Sequence, residues 1–146
     1  LGMSEHVVFI DRFVSQHELS RWLEAADVFV TPYPNLDQIV SGTLSYAMAA
    51  GKATVSTPYL YASEILADGR GRLVPPGEPG AMGDALIEVL QDHGLRAAMA
   101  QRAYLHGRSM LWSRVAADYE RLFRRPQAAP REMAVLGLPA AAVQGA

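Results

Sequence analysis

Residues 27–56 read DVFVTPYPNLDQIVSGTLSYAMAAGKATVS, and the fold follows from this stretch. DVFVT (Asp27–Thr31) and KATVS (Lys52–Ser56) are short runs rich in β-branched and aromatic residues, the composition of buried strands. TPYPNLD carries two prolines, which stop any continuation of the first run. Ser41-Gly42 then opens a helix of small residues over 42–50, and Gly51 ends it. Near-continuous apolar strands separated by a helix predict parallel pairing in a sheet covered on both faces. The crossover between such strands is right-handed.

The same alternation continues outward on both sides. Upstream, HVVFI (His6–Ile10) reads as a further buried strand. Ser15 stands three residues before Glu18, a capping-box pattern. Leu19, Trp22, Leu23 and Ala26 follow at helical spacing, so a helix is expected over 16–26. Downstream, Thr57-Pro58 breaks the second strand and a short helix follows near 60–67. Gly69 and Gly71 flank a turn before another strand, Arg72–Val74, which Pro75-Pro76-Gly77 ends. Helices are expected near 80–92, 95–107 and 112–124, with Trp22 and Trp112 on apolar stripes that suit packing. The predicted fold class is α/β, a doubly wound parallel sheet over residues 1–125. Residues 126–146, rich in Ala and Pro, read as a tail or linker.

Composition narrows the function. A chain of 146 residues is one domain by size, and 50% hydrophobic against 19% charged residues makes it globular. Thirteen Lys and Arg against 15 Asp and Glu leave a net charge of −2, which offers no basic field for nucleic acid. Lys52 is the only lysine. The absence of cysteine excludes disulfides, thiolate zinc sites and cysteine nucleophiles, and fits a reducing, cytoplasmic setting. No apolar run approaches the roughly 18 residues that cross a bilayer, and LGMSEH does not start a signal peptide. His6, His17, His93 and His106 show no ligand spacing, so no metal site is expected. Phosphate-loop, dinucleotide and serine-hydrolase signatures are absent from the sequence.

Ligands on doubly wound sheets bind at the carboxyl ends of the strands. Those ends are Thr31–Asp37, Ser56–Tyr61 and Pro75–Gly77. The candidate ligand-binding residues are Gln38, Ile39, Val40, Ser41, Gly42, Thr43 and Tyr46. Here a loop enters a helix, and the first helical turn offers unpaired N–H groups and a partial positive charge to an anion. Gly42 lets backbone approach a phosphate with no Cβ in the way. Ser41 and Thr43 add hydroxyls, and Tyr46 stands one turn further along the same face. Ser41 serves equally as a plain N-cap. Other positions carry two readings each. Tyr59 and Tyr61 can line a nucleotide pocket or pack under the loop. Arg70 and Arg72 can reach a phosphate or sit in solvent. Asp11-Arg12 can meet a base or form a turn, and Lys52 suits a charge near a helix C-terminus.

Several stretches, in order, resemble the donor-binding half of a retaining glycosyltransferase of the two-domain GT-B type, in the large family 4 or "group 1". Ala25-Ala26-Asp27-Val28-Phe29-Val30 resembles the family's strand entry, Ala47-Met48-Ala49-Ala50-Gly51 its helix end, and Thr54-Val55-Ser56-Thr57 the strand beyond. Gly71-Arg72-Leu73-Val74-Pro75-Pro76-Gly77-Glu78-Pro79 resembles the family's G-L-L-V-P-P-G-D-P. Leu111-Trp112-Ser113-Arg114-Val115 resembles the start of its last helix. The likeness covers about 1–124.

The resemblance implies a Rossmann-like fold forming the larger part of a GT-B C-terminal lobe. It also implies sugar transfer, with retention, from a nucleoside diphosphate sugar that is a substrate and not a cofactor. The family places two glutamates, with seven residues between them, near the donor sugar and the ribose. Gln38 and Tyr46 occupy those places here, as in a bacterial variant of the motif. By resemblance Gln38 orients the sugar, Tyr46 contacts the ribose, and Glu64 lies where a further donor-side glutamate is found. An earlier strand and helix with basic residues, and an N-terminal lobe for a glycan, lipid or small-molecule acceptor, are expected outside this sequence, with peripheral membrane association through that lobe. The alternatives are another activity of the architecture, such as a nucleotide-sugar epimerase or sugar phosphorylase, or a non-catalytic lobe kept for protein contacts.

Overall fold

A computed structural model describes residues 2–124. After a 3-10 turn at Ser4–His6, the elements are helix α1 (Gln16–Ala25), strand β1 (Val28–Thr31), α2 (Gly42–Ala49), β2 (Ala53–Ser56), α3 (Leu60–Ile65), β3 (Gly71–Leu73), α4 (Pro79–Gln91), α5 (His93–Ser109) and α6 (Trp112–Arg124). The expected tail, 126–146, lies outside the described residues. The chain divides at Leu111 into a body carrying the sheet and a second unit beginning at Trp112.

The sheet has the order β1-β2-β3, with both pairs parallel. Val28 pairs with Ala53 and Thr31 with Ser56; Thr54 pairs with Gly71 and Ser56 with Leu73. Side chains alternate across it, as the pleat requires. Phe29 joins Leu44 and Met48 of α2, Ala62 and Ile65 of α3, and Ala103 of α5 in one core cluster. Val28, Ala53 and Val55 join Ala85 and Val89 of α4 and Met99 of α5 in another. Helices therefore cover both faces, and α5 contributes to both clusters. This is the doubly wound, Rossmann-like α/β arrangement that the alternation of elements predicts.

The local signals work as their chemistry dictates. Ser15 caps α1 by accepting from the Glu18 N–H at 3.2 Å, and Asp92 caps α5 by accepting from Leu95 at 2.8 Å. Gly51 has φ +65°. Its N–H reaches the Met48 carbonyl at 3.0 Å while Lys52 N–H reaches Ala47 at 2.9 Å. That pair of bonds is the Schellman ending, whose left-handed residue favours glycine. Lys52 then reaches back and donates to the carbonyls of Glu24 at 3.0 Å and Ala26 at 3.1 Å. The lone lysine thus closes the C-terminal end of α1, where a cation suits the helix dipole.

The expectation of a strand at His6–Ile10 is corrected. The run is not a strand, and Val8 and Phe9 are 80% and 87% exposed. β-Propensity reports fitness for a pleated, half-buried surface; without a neighbouring strand edge it forms no ladder. The run pairs with neither β1 nor β3, so the sheet has three strands where four were expected. Of core or lobe packing for Trp22, the core reading is corrected: it is half exposed on α1 and lies outside both core clusters. In α6, described by itself, Trp112 and Phe123 are exposed and Tyr119 stacks on Phe123 with centroids 6.1 Å apart.

Candidate functional site

The loop from β1 to α2 is held at both ends. Thr57 Oγ1 donates to the Tyr33 carbonyl at 2.6 Å, and the Tyr33 ring meets Tyr59 edge-on at 5.3 Å between centroids. Leu60 N–H donates to Leu36 at 3.1 Å and Tyr61 N–H to the Gln38 carbonyl at 3.4 Å. The first turn of α3 therefore underpins the loop. This resolves the two readings of Tyr59 toward packing: its ring is fully buried.

At the loop's end Ser41 is buried and caps α2, accepting from Leu44 N–H at 3.3 Å, with Thr43 Oγ1 3.3 Å from its hydroxyl. The carbonyl of Ser41 accepts from Ser45 twice, from its N–H at 3.1 Å and its hydroxyl at 3.0 Å. The N–H groups of Gly42 and Thr43 have no acceptor among the described hydrogen bonds. A Cβ on Gly42 would meet nothing within 4 Å, so packing within the described chain does not call for glycine there. Ile39 and Val40 are 70% and 71% exposed and flank this opening with apolar surface. Tyr46, one turn on, is exposed. All seven candidate residues thus stand along one loop and one helical turn.

Gln38 is half-buried, and its Nε2 donates to the Val40 carbonyl at 3.0 Å. One amide hydrogen is consumed within the loop, and Oε1 has no donor among the described hydrogen bonds. Toward a ligand, Gln38 thus offers an acceptor and one remaining N–H, without charge.

Several secondary candidates lie elsewhere. Arg70 donates to the carbonyls of Ile65 at 2.7 Å and Glu64 at 3.0 Å and pairs with Asp68. It closes the end of α3 and is not free for a phosphate. Arg72 pairs with Glu88 of α4, and Arg12 with Glu18 of α1. The hydrogen bond to Arg12 is the largest influence holding the Glu18 carboxyl below its ordinary range. Glu64 sits at the end of α3, where it acts with Arg70 and Asp68 on His106 of α5. Burial, then the Arg70 charge, pushes His106 down, against Glu64 and Asp68. No group of three or more His, Asp and Glu among the described residues could hold a metal ion.

The three strand-end loops meet in a cleft of about 390 Å³ lined by Pro32, Pro34, Thr57, Pro75, Glu78 and Met82, among others. None of the seven candidate residues lines it. Sequence reading marks the loops but not their convergence. It also leaves Ser45 aside, although its hydroxyl lies 2.7 Å from the Tyr61 phenol.

A parallel sheet wrapped by helices, with a capped helix mouth on the loop beyond a strand end, places the chain among Rossmann-like α/β lobes. A family model described as glycosyl transferases group 1 matches residues 1–92, and the chain belongs to that family of GT-B glycosyltransferases. It is 34% identical over 116 residues to a phosphatidyl-myo-inositol mannosyltransferase of Mycolicibacterium smegmatis, a match covering 79% of this chain and 30% of that protein. It is 31% identical over 120 residues to a D-inositol 3-phosphate glycosyltransferase of Nocardioides sp., covering 82% and 26%. A phosphatidyl-myo-inositol mannosyltransferase of Mycobacterium leprae is 32% identical over 124 residues, covering 84% and 32%. The chain spans about a third or less of the length of these relatives.

Proposed function

We propose that this chain is the donor-binding part of a retaining hexosyltransferase, and that the Gln38–Thr43 loop with Tyr46 holds a nucleoside diphosphate sugar. The N–H groups of Gly42 and Thr43 take the diphosphate. Negative charge grows on that group as the anomeric C–O bond breaks, and fixed amide dipoles stabilise such charge without reorganising. Gln38 accepts from a sugar hydroxyl through Oε1, where the family carries a glutamate. Tyr46 contacts the ribose. The donor is a substrate, and no separate cofactor or metal enters this reading.

The acceptor is a glycan, lipid or small molecule bound by protein outside this chain, at a cytoplasmic site that is peripheral to the membrane where the acceptor is a lipid. Three relatives carry inositol in their names, which makes an inositol-bearing acceptor the first to assay. Transfer is favoured over epimerisation or phosphorolysis because the relatives are named as transferases.

The observation that carries the reading is the pair of uncommitted N–H groups at Gly42 and Thr43 beside the open space where a Gly42 side chain would stand. The test is titration of UDP, GDP and ADP into the full-length protein and its Gly42→Val variant. One nucleotide is expected to bind, and Gly42→Val to abolish that binding by blocking approach to the phosphates. Unchanged affinity in the variant would remove the helix mouth from the site.

A further inference from the structure

We infer that Tyr61 is a positioning residue for the diphosphate end of the donor, acting through Ser45. This rests on the reading of the Gln38–Thr43 loop as the donor site. Tyr61 grips the loop at two points. Its backbone N–H donates to the Gln38 carbonyl at 3.4 Å, and its phenol lies 2.7 Å from Ser45 Oγ. Ser45 in turn donates its single hydroxyl hydrogen to the Ser41 carbonyl at 3.0 Å. Because that hydrogen is spent on Ser41, the phenol must be the donor to Ser45 Oγ. The chain therefore runs in one direction, from Tyr61 O–H to Ser45 O–H to the Ser41 carbonyl.

Ser41 is the cap of α2 and Gln38 opens the same loop, so one side chain and one amide of α3 hold both ends of the four residues before the helix mouth. The hydroxyl bond adds to the Ser45 N–H bond on the same Ser41 carbonyl and tightens the peptide plane between Ser41 and Gly42, and with it the direction of the Gly42 N–H. That direction governs how well the mouth meets a phosphate oxygen. The effect is therefore on the diphosphate and not on the base or ribose.

The experiment compares UDP, GDP and ADP with their monophosphates on the full-length protein, using wild type, Tyr61→Phe, Ser45→Ala, the double variant and Ser45→Thr. For the nucleotide that binds, Tyr61→Phe and Ser45→Ala are each expected to weaken the diphosphate about fivefold, the scale of one hydrogen bond. The monophosphate is expected to change little, so the affinity gap between the two narrows. The double variant should be no weaker than about the worse single, because both substitutions break one chain. Ser45→Thr keeps the hydroxyl and should keep the gap.

Diphosphate affinities unchanged in Tyr61→Phe and Ser45→Ala, with binding still lost in Gly42→Val, would overturn the role of Tyr61 and leave the donor site standing. Equal weakening of diphosphate and monophosphate would also overturn it, since general loosening of the fold does that. A wild-type protein that binds none of the three diphosphates would overturn the donor reading and this inference with it.

Discussion

Thr31 and Ser56 are register partners across β1 and β2, and their hydroxyls lie 2.7 Å apart in the interior. Ser56 Oγ is within 3.0 Å of the carbonyls of both Thr31 and Thr57. With the one Ser56 hydroxyl hydrogen directed to one of these carbonyls, Thr31 donates to Ser56 and accepts from the Tyr59 phenol at 3.4 Å. A polarised chain of hydroxyls thus closes the carboxyl end of the sheet, below the loops that carry the candidate site. No buried side-chain polar atom among the described residues lacks a partner.

Removing two members of that chain should cost less than the sum of removing each alone. Ser56→Ala is expected to destabilise by about 1–3 kcal/mol, because the buried Thr31 hydroxyl loses its acceptor. Adding Thr31→Val removes the stranded group, so the double variant should be less destabilised than the sum of the singles. Urea unfolding of the four proteins checks this; strict additivity would show that the hydroxyls are uncoupled.

Lys52, at the start of β2, holds the end of α1 through the Glu24 and Ala26 carbonyls. Lys52→Met should destabilise by about 0.5–1 kcal/mol through loss of the cation on the last carbonyls of α1. Nucleotide affinity should not move. A change in affinity with unchanged unfolding midpoint would instead place the ammonium in ligand binding.

Gly107 brings α5 against the end of α2: a Cβ there would stand 2.8 Å from the Met48 carbonyl oxygen and 2.9 Å from Ala49 Cα. Both obstacles are backbone. Gly107→Val is expected to lose about 1–3 kcal/mol by overpacking, whereas Gly42→Val, with open space around it, should melt within a degree or two of wild type. Comparable thermal shifts for the two variants would contradict this packing.

His106 titrates below its ordinary value because it is partly buried and faces Arg70, with Glu64 and Asp68 opposing. The unfolded chain therefore takes up the proton first as pH falls. Stability is expected to be at its full value above about pH 6.5 and to decline as pH drops from there through the folded value. His106→Gln should flatten the difference between unfolding midpoints at about pH 7.5 and about pH 5.5. Glu18, lowered mainly by its hydrogen bond to Arg12, adds a loss of the same sign in the carboxylate range, where Glu18→Gln serves as control. An unaltered slope in His106→Gln would show that other groups set the acid limb.

Much of this architecture is legible in the chain. The β-branched runs at 28–31 and 53–56, the cap at Ser15, the glycine stop at Gly51 and the prolines after Thr31 each act within a few residues, and each element forms where those signals stand. The same kind of signal misleads at His6–Ile10, because a strand exists only when another edge receives it. Likewise Trp22 has helical spacing in its favour, yet spacing does not say which stripe meets a neighbour.

At the candidate site, the sequence by itself determined the mouth of α2: Ser41 caps the helix, and the first amides after it lie open by helix geometry, which depends on nothing distant. Only the tertiary structure decided that Tyr61, sixteen residues beyond Ser45, braces that mouth. It also decided that Arg70 closes α3 in place of reaching for a phosphate, and that the helix end Lys52 serves is that of α1. The physical reason is that caps and turns are satisfied by neighbours along the chain, whereas a side chain's partner across space is set by the register of a parallel sheet and the packing of helices upon it.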